Sequence, residues 1–443
     1  MKEKRHYNRR WLLVASFALF AMFFGAGNLI FPTSLGKNMG DQVMQAFVAF
    51  FIPAVGLVLL GAIATIRAGG TIECLARHLG PVLSAAFGAI ILICIGPGLA
   101  IPRTAATSHE MLSGAFFPQL SPWVTTVVFF AITLFFVIKP SRVVSGLGMV
   151  LTPALVTILV ILIGKSILQP LGPLVPTGAV NVFSGSFLEG YQTMDALASM
   201  AFAIVIIKDF KRRGVKEPAR IVRYTSLSSI FAALGLVAVY GGLMYIGATM
   251  SSLGVKELGR VDLLLFAVDG LLGTAGKVLI ALGTFLACLT TSIGLTSTFS
   301  DFMERLTKGK VSAIVWSIAC VVFSAIISVL GVDRIVAISA PILVAIYPIA
   351  MALIVLNLIQ GPLDRRSIHI GAVLGASLPA VDFLIGLIIG TPILGGKNGM
   401  ITGIWQNFYW IIPSIILAIV CYVVMPKERA GERTLAMQRQ DIL

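Results

Sequence analysis

Charge is scarce in this chain. Only 12% of its 443 residues are Asp, Glu, Lys or Arg, against 58% hydrophobic, whereas a soluble domain carries about a quarter charged residues. So little charge leaves scant room for a water-soluble domain and marks a membrane protein. Acidic residues are the scarcer sign, 19 against 33 basic, for a net charge of +14. The basic residues sit in short loops between apolar runs, the positive-inside pattern, so no nucleic-acid partner is implied. The five cysteines (Cys74, Cys94, Cys288, Cys320, Cys421) are scattered without paired spacing. They read as small buried hydrophobes rather than a disulfide frame or a metal site. The four histidines, His6, His78, His109 and His369, lie at helix ends or in loops. None has a Cys, Asp or Glu at metal-ligand spacing within a spanning segment. No GxxxxGK[ST] loop and no GxSxG elbow occurs, which leaves ATP-driven transport unsupported and acyl transfer nearly so.

Apolar runs of spanning length, about 17–25 residues, fall at 11–36, 42–67, 82–107, 121–138, 143–168, 184–208, 221–248, 276–303, 311–331, 334–359, 368–390 and 405–425. An all-α polytopic protein of twelve transmembrane helices is expected. The basic start, 1–10, superficially resembles a secretory signal, but the run after it is too long for one and is read as the first spanning helix. Placing 1–10 and the tail 426–443 in the cytoplasm puts most lysines and arginines there, including seven between Lys208 and Arg223. The reverse topology inverts that ratio. Gly259 to Gly273 is apolar but short and carries Asp262 and Asp269; it reads as a helix at the surface or in a loop.

Four segments are too polar or too broken for plain spanning helices. Within the first run stands Phe23-Phe24-Gly25-Ala26-Gly27-Asn28-Leu29-Ile30-Phe31-Pro32. Glycine weakens a helix interior by roughly 1 kcal/mol, and a buried asparagine without partners costs about 1–3 kcal/mol. Two readings stand: a close helix–helix contact at Gly25 and Gly27, or a helix opened so that its freed backbone faces a ligand. Asn28 and Pro32 favour the second. The third run holds Gly96-Pro97-Gly98-Leu99-Ala100-Ile101-Pro102-Arg103, either a pocket wall or an ordinary proline kink. Arg103 is expected near the outer end, snorkelling or paired with Glu110. In the sixth run, Glu189, Gln192, Thr193 and Asp195 are costly in a membrane and imply a cavity, with Glu189 nearer the surface and Asp195 deeper. In the eighth, Thr290, Thr291 and Ser292 offer hydroxyl oxygens that suit a hard monovalent cation, unless they bond back to carbonyls one turn earlier.

The breaks are spaced five helices apart, in helices 1 and 6 and again in 3 and 8. Five is odd, so the second group would run inverted relative to the first, the inverted-repeat arrangement of secondary transporters. The expected units are a first repeat over 11–168, a second over 184–359, and two additional helices over 368–425. The argument rests on positions, since no residue-level repeat is visible.

The run Phe20 to Pro32 strongly resembles the signature of bacterial branched-chain amino acid:cation symporters. So do Gly96-Pro97 with Ala100 to Ala105, Gly190-Tyr191 with Thr193 to Leu197, and Ala287 to Thr291. That resemblance implies a sodium- or proton-coupled importer of leucine, isoleucine and valine with a LeuT-type fold. It further implies substrate contacts at Gly25, Ala26, Gly27 and Asn28, where Ala26 and Gly27 amides would hold the carboxylate. Carbonyls of Thr193, Met194, Asp195 and Ala196 would take the ammonium, and Gly96 and Ala100 would add a pocket wall. Sodium would lie between Thr290, Thr291 and the carbonyls of Ala21, Phe24 and Ala287, with the Asn28 oxygen at a second ion. The seventh helix lacks the asparagine such a second site would want, and Asp195 has no clear counterpart in that wider fold, which leaves it open as an ammonium partner or a proton acceptor. No cofactor beyond the coupling ion is expected; the partners are the small substrate, that cation and the bilayer of a bacterial cytoplasmic membrane. The alternatives are another neutral amino acid or a nucleobase as substrate, a sensor that binds without transport, and a channel, which no repeated filter supports.

Overall fold

The computed structural model describes residues 9–139, 142–212, 215, 217–255, 258–359, 365–389, 393–395, 401 and 407–425. Among these no strand occurs. The order opens with α1 (Arg9–Phe23), α2 (Ala26–Met39), α3 (Val43–Phe51), α4 (Leu57–Ala68) and the short α5 (Ile72–Leu75). It continues with α6 (Pro81–Ile93), α7 (Ala100–Ala115), α8 (Pro122–Ile138) and α9 (Arg142–Leu168). Then follow α10 (Val182–Tyr191), α11 (Asp195–Arg212), α12 (Pro218–Thr249) and α13 (Arg260–Leu306). The last are α14 (Ala313–Ser328), α15 (Val332–Leu358), α16 (Arg366–Ala376), α17 (Leu378–Ile389) and α18 (Ile411–Val424).

Among the described residues, six helical stretches are long and apolar enough to cross a membrane: Ala26–Ala68, Pro81–Ala115, Arg220–Thr249, Arg260–Leu306, Val332–Leu358 and Arg366–Ile389. Shorter apolar helices accompany them at Pro122–Ile138, Pro153–Leu168, Ala313–Ser328 and Ile411–Val424. Large apolar side chains such as Val82, Val127, Ile161, Val322, Ile388 and Val423 are exposed on the outside, while Thr33, Thr65, Ser108, Thr225 and Ser339 are buried. A surface of that kind is stable against lipid and not against water. The buried hydroxyls manage their polarity locally: Thr33, Thr65 and Ser108 each donate to the carbonyl four residues earlier.

Proline and glycine shape the rest. Pro53 and Pro97 each remove a backbone donor, and each falls in a widened five-residue turn, Ile52–Gly56 and Cys94–Gly98. The expected surface helix at 259–273 is the first part of α13, which bends at Gly273 where φ reaches 67°. Elsewhere glycine allows backbones to touch. A Cβ on Gly36 would overlap the Met244 carbonyl, and one on Gly247 would overlap the Thr33 carbonyl. The two contacts are reciprocal, so α2 and α12 lie against each other without side chains between them. Gly61 of α4 plays the same part toward α11, where a Cβ would stand 2.7 Å from the Ser199 hydroxyl. Gly371 and Gly375 seat α16 on α18, against the backbone of Leu417 and Ser414.

A candidate substrate and ion site between two broken helices

Helix α1 stops at Phe23 and α2 begins at Ala26, with Gly25 extended (φ −118°, ψ −166°) between them. In a continuous helix the Gly25 N–H would bond the Ala21 carbonyl. Here it donates to Asn28 Oδ1 at 2.9 Å, so Asn28 reaches back to hold the break open. The opening N–H groups of α2, those of Ala26 and Gly27 among them, have no acceptor within the helix and concentrate partial positive charge at its start. This is a favourable place for a carboxylate.

A second break faces the first. Helix α10 ends at Tyr191 and α11 begins at Asp195, with Met194 in the left-handed region (φ 60°). A long side chain seldom adopts that conformation, and Met194 is held there by burial. Thr193 bridges the gap: its hydroxyl donates to the Gly190 carbonyl at 3.0 Å and accepts from the Asp195 N–H at 3.4 Å.

Three side chains tie the two breaks together. Asn28 Nδ2 donates to Asp195 Oδ2 at 2.5 Å and also to the hydroxyl of Tyr240 on α12. Tyr240 in turn donates to the same Asp195 oxygen at 3.0 Å. All three are buried. Sequence reasoning missed Tyr240; the available signal was that a tyrosine in mid-helix must find a partner for its hydroxyl when buried.

Arg103 enters from α7. It is 3% exposed; Nη1 donates to the Gln192 carbonyl at 2.6 Å and Nη2 to the Thr193 carbonyl at 3.5 Å. Its guanidinium also lies 5.1 Å from the centre of the Phe31 ring. The expected place near the outer end is therefore wrong. Helix α7 runs to Ala115, beyond the expected limit at 107, which leaves Arg103 about 18 Å of helix from the end. Nor does Glu110 pair with it: Glu110 Oε1 accepts the Val332 N–H at 2.8 Å, capping α15. Toward the N-terminal end of α13, Arg260 bonds Asp333 at 2.5 Å and approaches Glu189 at 3.7 Å. Its guanidinium covers Phe31 at 5.8 Å.

The breaks enclose a small cavity of about 30 Å³. Gly25, Ala26, Gly27, Asn28, Ala100, Thr193, Met194 and Asp195 border it, as do Arg103 and Thr291. Its apolar wall comes from Ile95 in the Cys94–Gly98 turn, Leu295 of α13, and Ala198 and Phe202 of α11. Gly96 turns away, toward Phe299, and Ala196 engages Ser199 through its carbonyl; neither borders the cavity. Of the two threonines, Thr291 faces the break, its Oγ1 3.6 Å from where a Gly25 Cβ would lie. That oxygen is buried without a hydrogen-bond partner among the described residues, which suits a cation ligand. Thr290 instead donates to the Ala287 carbonyl at 2.9 Å and does not border the cavity. Asn28 Oδ1 carries the Gly25 N–H, and Phe24 stacks on Phe20 at 5.1 Å.

A family model described as a branched-chain amino acid transport protein matches residues 8–428. The chain belongs to that family. Among its relatives, the branched-chain amino acid permease BraB of Bacillus subtilis is 36% identical, over 93% of this chain and 95% of its own length. The branched-chain amino acid transport system 2 carrier protein of Pseudomonas aeruginosa is 34% identical, over 94% and 97%. BrnQ of Escherichia coli K12 is 31% identical, over 94% and 95%. The solved structure of Mhp1, a nucleobase-cation-symport-1 family transporter with bromovinylhydantoin bound, aligns with a TM-score of 0.58 at 14% identity, covering 93% of this chain and 91% of that one. MhsT in complex with L-phenylalanine aligns with a TM-score of 0.53 at 16% identity, covering 92% and 97%. This branched-chain transporter is thus a membrane protein, without strands among its described residues, that shares the overall fold of Mhp1 and MhsT, and a carrier rather than an enzyme.

Proposed function

We propose that this protein imports leucine, isoleucine and valine by sodium symport and alternating access, from a site between the two broken helices. The observation that carries the reading is the Asn28–Asp195 bond at 2.5 Å, which joins two helix interruptions across one cavity in a chain of this family. The substrate carboxylate meets the N–H groups of Ala26 and Gly27, and its ammonium meets Asp195 and the neighbouring carbonyls. The aliphatic side chain enters among Ile95, Ala198, Phe202 and Leu295. One methylene there is worth about 1–3 kcal/mol at most, so the three substrates are poorly separated. A cavity of about 30 Å³ holds a water or two and no leucine; its walls must part to load substrate.

Sodium sits between Thr291 and the carbonyls near Ala21 and Phe24, pinning α13 to the first break. By linkage, whatever the ion adds to substrate affinity the substrate adds to ion affinity. Each inward charge gains about 2.3 kcal/mol per 100 mV. In this reading the chain crosses the cytoplasmic membrane twelve times, as two inverted groups of five plus two, with both termini inside. One observation favours a proton as the alternative coupling ion: Asp195 is a carboxylate buried at the break itself.

Uptake of labelled leucine into proteoliposomes separates these readings. Accumulation driven by a sodium gradient supports the proposal, accumulation driven only by a proton gradient transfers the coupling to Asp195, and binding without accumulation makes the protein a sensor.

A further inference from the structure

Arg103 is not accounted for by any role above. A guanidinium so deeply buried is costly unless its charge is answered, and two backbone carbonyls bring dipoles rather than a countercharge. They also use two of its five N–H donors. The group borders the substrate cavity and stands at the start of α2: a Cβ on Gly27 would lie 3.0 Å from Nη2. The carbonyls it holds, Gln192 and Thr193, immediately precede Asp195. The cavity thus contains one fixed cation on the side of the α2 amides and one fixed anion at the second break.

We infer that Arg103 and Asp195 form a charge pair complementary to a zwitterion, with Arg103 the residue that reads the substrate carboxylate. On binding, the guanidinium fork turns from the Gln192 and Thr193 carbonyls to the two carboxylate oxygens, beside the Gly27 amide. The released carbonyls, with Asp195, receive the substrate ammonium. Every buried charge exchanges one partner for another, so the site accepts a neutral zwitterion and no net charge comes with the substrate. A molecule with only one of the two ends leaves a charge or its carbonyls unanswered and is rejected. Phe31 packs against the guanidinium, its ring centre 5.1 Å from Cζ. The inference rests on the transport reading above and adds to it a residue and a rule for substrate choice.

The test is competition against labelled leucine on the purified full chain. The probes are leucine, 3-methylbutylamine (leucine without its carboxylate) and 4-methylpentanoate (leucine without its ammonium). The wild-type protein should prefer leucine to 3-methylbutylamine by on the order of 100-fold, the worth of a desolvated bidentate pair. Arg103→Gln should weaken leucine by a similar factor and leave the amine within about threefold, so the preference collapses; a merely structural role would weaken both and keep their ratio. Arg103→Lys, which retains the charge without the fork, should fall between and decides the matter if Arg103→Gln does not fold. Asp195→Asn should instead erode the preference over 4-methylpentanoate. A leucine-to-amine ratio unchanged in both Arg103 variants overturns the inference alone, as does a wild type that binds the amine as well as leucine. A wild type that binds no leucine overturns the transport reading with it.

Discussion

Asn28→Ala is the sharpest single perturbation of the site. The side chain accepts the Gly25 N–H at 2.9 Å and donates to Asp195 at 2.5 Å and to Tyr240. Its loss leaves a buried amide N–H without an acceptor, at about 1–3 kcal/mol, and takes a donor from a buried carboxylate, about 1.5–3 kcal/mol more. Tyr240 still donates to Asp195, so the two figures overlap and do not add in full. A net loss of about 2–4 kcal/mol remains. Part of it appears as lower stability and part as misplacement of the substrate amides, because the Gly25 N–H is then free to return toward the Ala21 carbonyl and close the break. If half reaches the binding equilibrium, leucine affinity falls roughly fivefold to thirtyfold. The measurement is leucine binding to purified protein alongside thermal unfolding, with Asn28→Gln as a control that keeps the amide but shifts it by one methylene. Unchanged affinity and an unchanged unfolding temperature in Asn28→Ala would refute the reasoning that this bridge sets the site.

Thr291→Val should raise the sodium concentration for half-maximal uptake about tenfold or more, while Thr290→Val stays within about threefold, because Thr291 borders the cavity at the break and Thr290 does not; sodium titration of leucine uptake reads both. Gly247→Ala should lower stability by about 1–3 kcal/mol or more, since the new methyl meets the backbone of Thr33 rather than a movable side chain; thermal unfolding of purified protein measures it. Phe202→Ala enlarges the apolar wall and should shift preference toward bulkier substrates such as phenylalanine, with valine losing about 1–3 kcal/mol of binding relative to it, seen in competition against labelled leucine.

The helices and the breaks were legible because they are written in one-dimensional signals. Apolar length marks the runs, and Gly25-Ala26-Gly27-Asn28 and Thr193 to Ala196 interrupt them with residues a plain spanning helix has no use for. The first opened just before Ala26 and the second between Tyr191 and Asp195, so each break sits at the start of its expected stretch. The side of a helix on which a residue lies was less legible. Thr290 and Thr291 are adjacent, hence about 100° apart around the axis, and only packing decides that Thr291 looks into the break. Arg103 was misplaced because a helix end was set eight residues too early and arginine was assumed to seek the interface. In the folded chain the opening of the second helix supplies buried carbonyls that let it stay inside. Tyr240 looked like ordinary core until the fold brought it against Asp195. A contact spanning 167 or 212 residues, as Asn28 makes to Asp195 and Tyr240, leaves no periodic trace in a single sequence.

The glycine contacts between α2 and α12 bear on how the site can open. With Gly36 on Met244 and Gly247 on Thr33, these helices have no slack to slide independently, so Asn28 and Tyr240 ride on one rigid body. Asp195 rides on another, with α11 seated on α4 at Gly61. The triangle of hydrogen bonds is therefore a two-body latch closing on a single oxygen, Asp195 Oδ2. Separating the bodies breaks both bonds to that atom together. In the proposed transport cycle, any motion that parts α2 and α12 from α11 and α4 is thereby all-or-none at this contact.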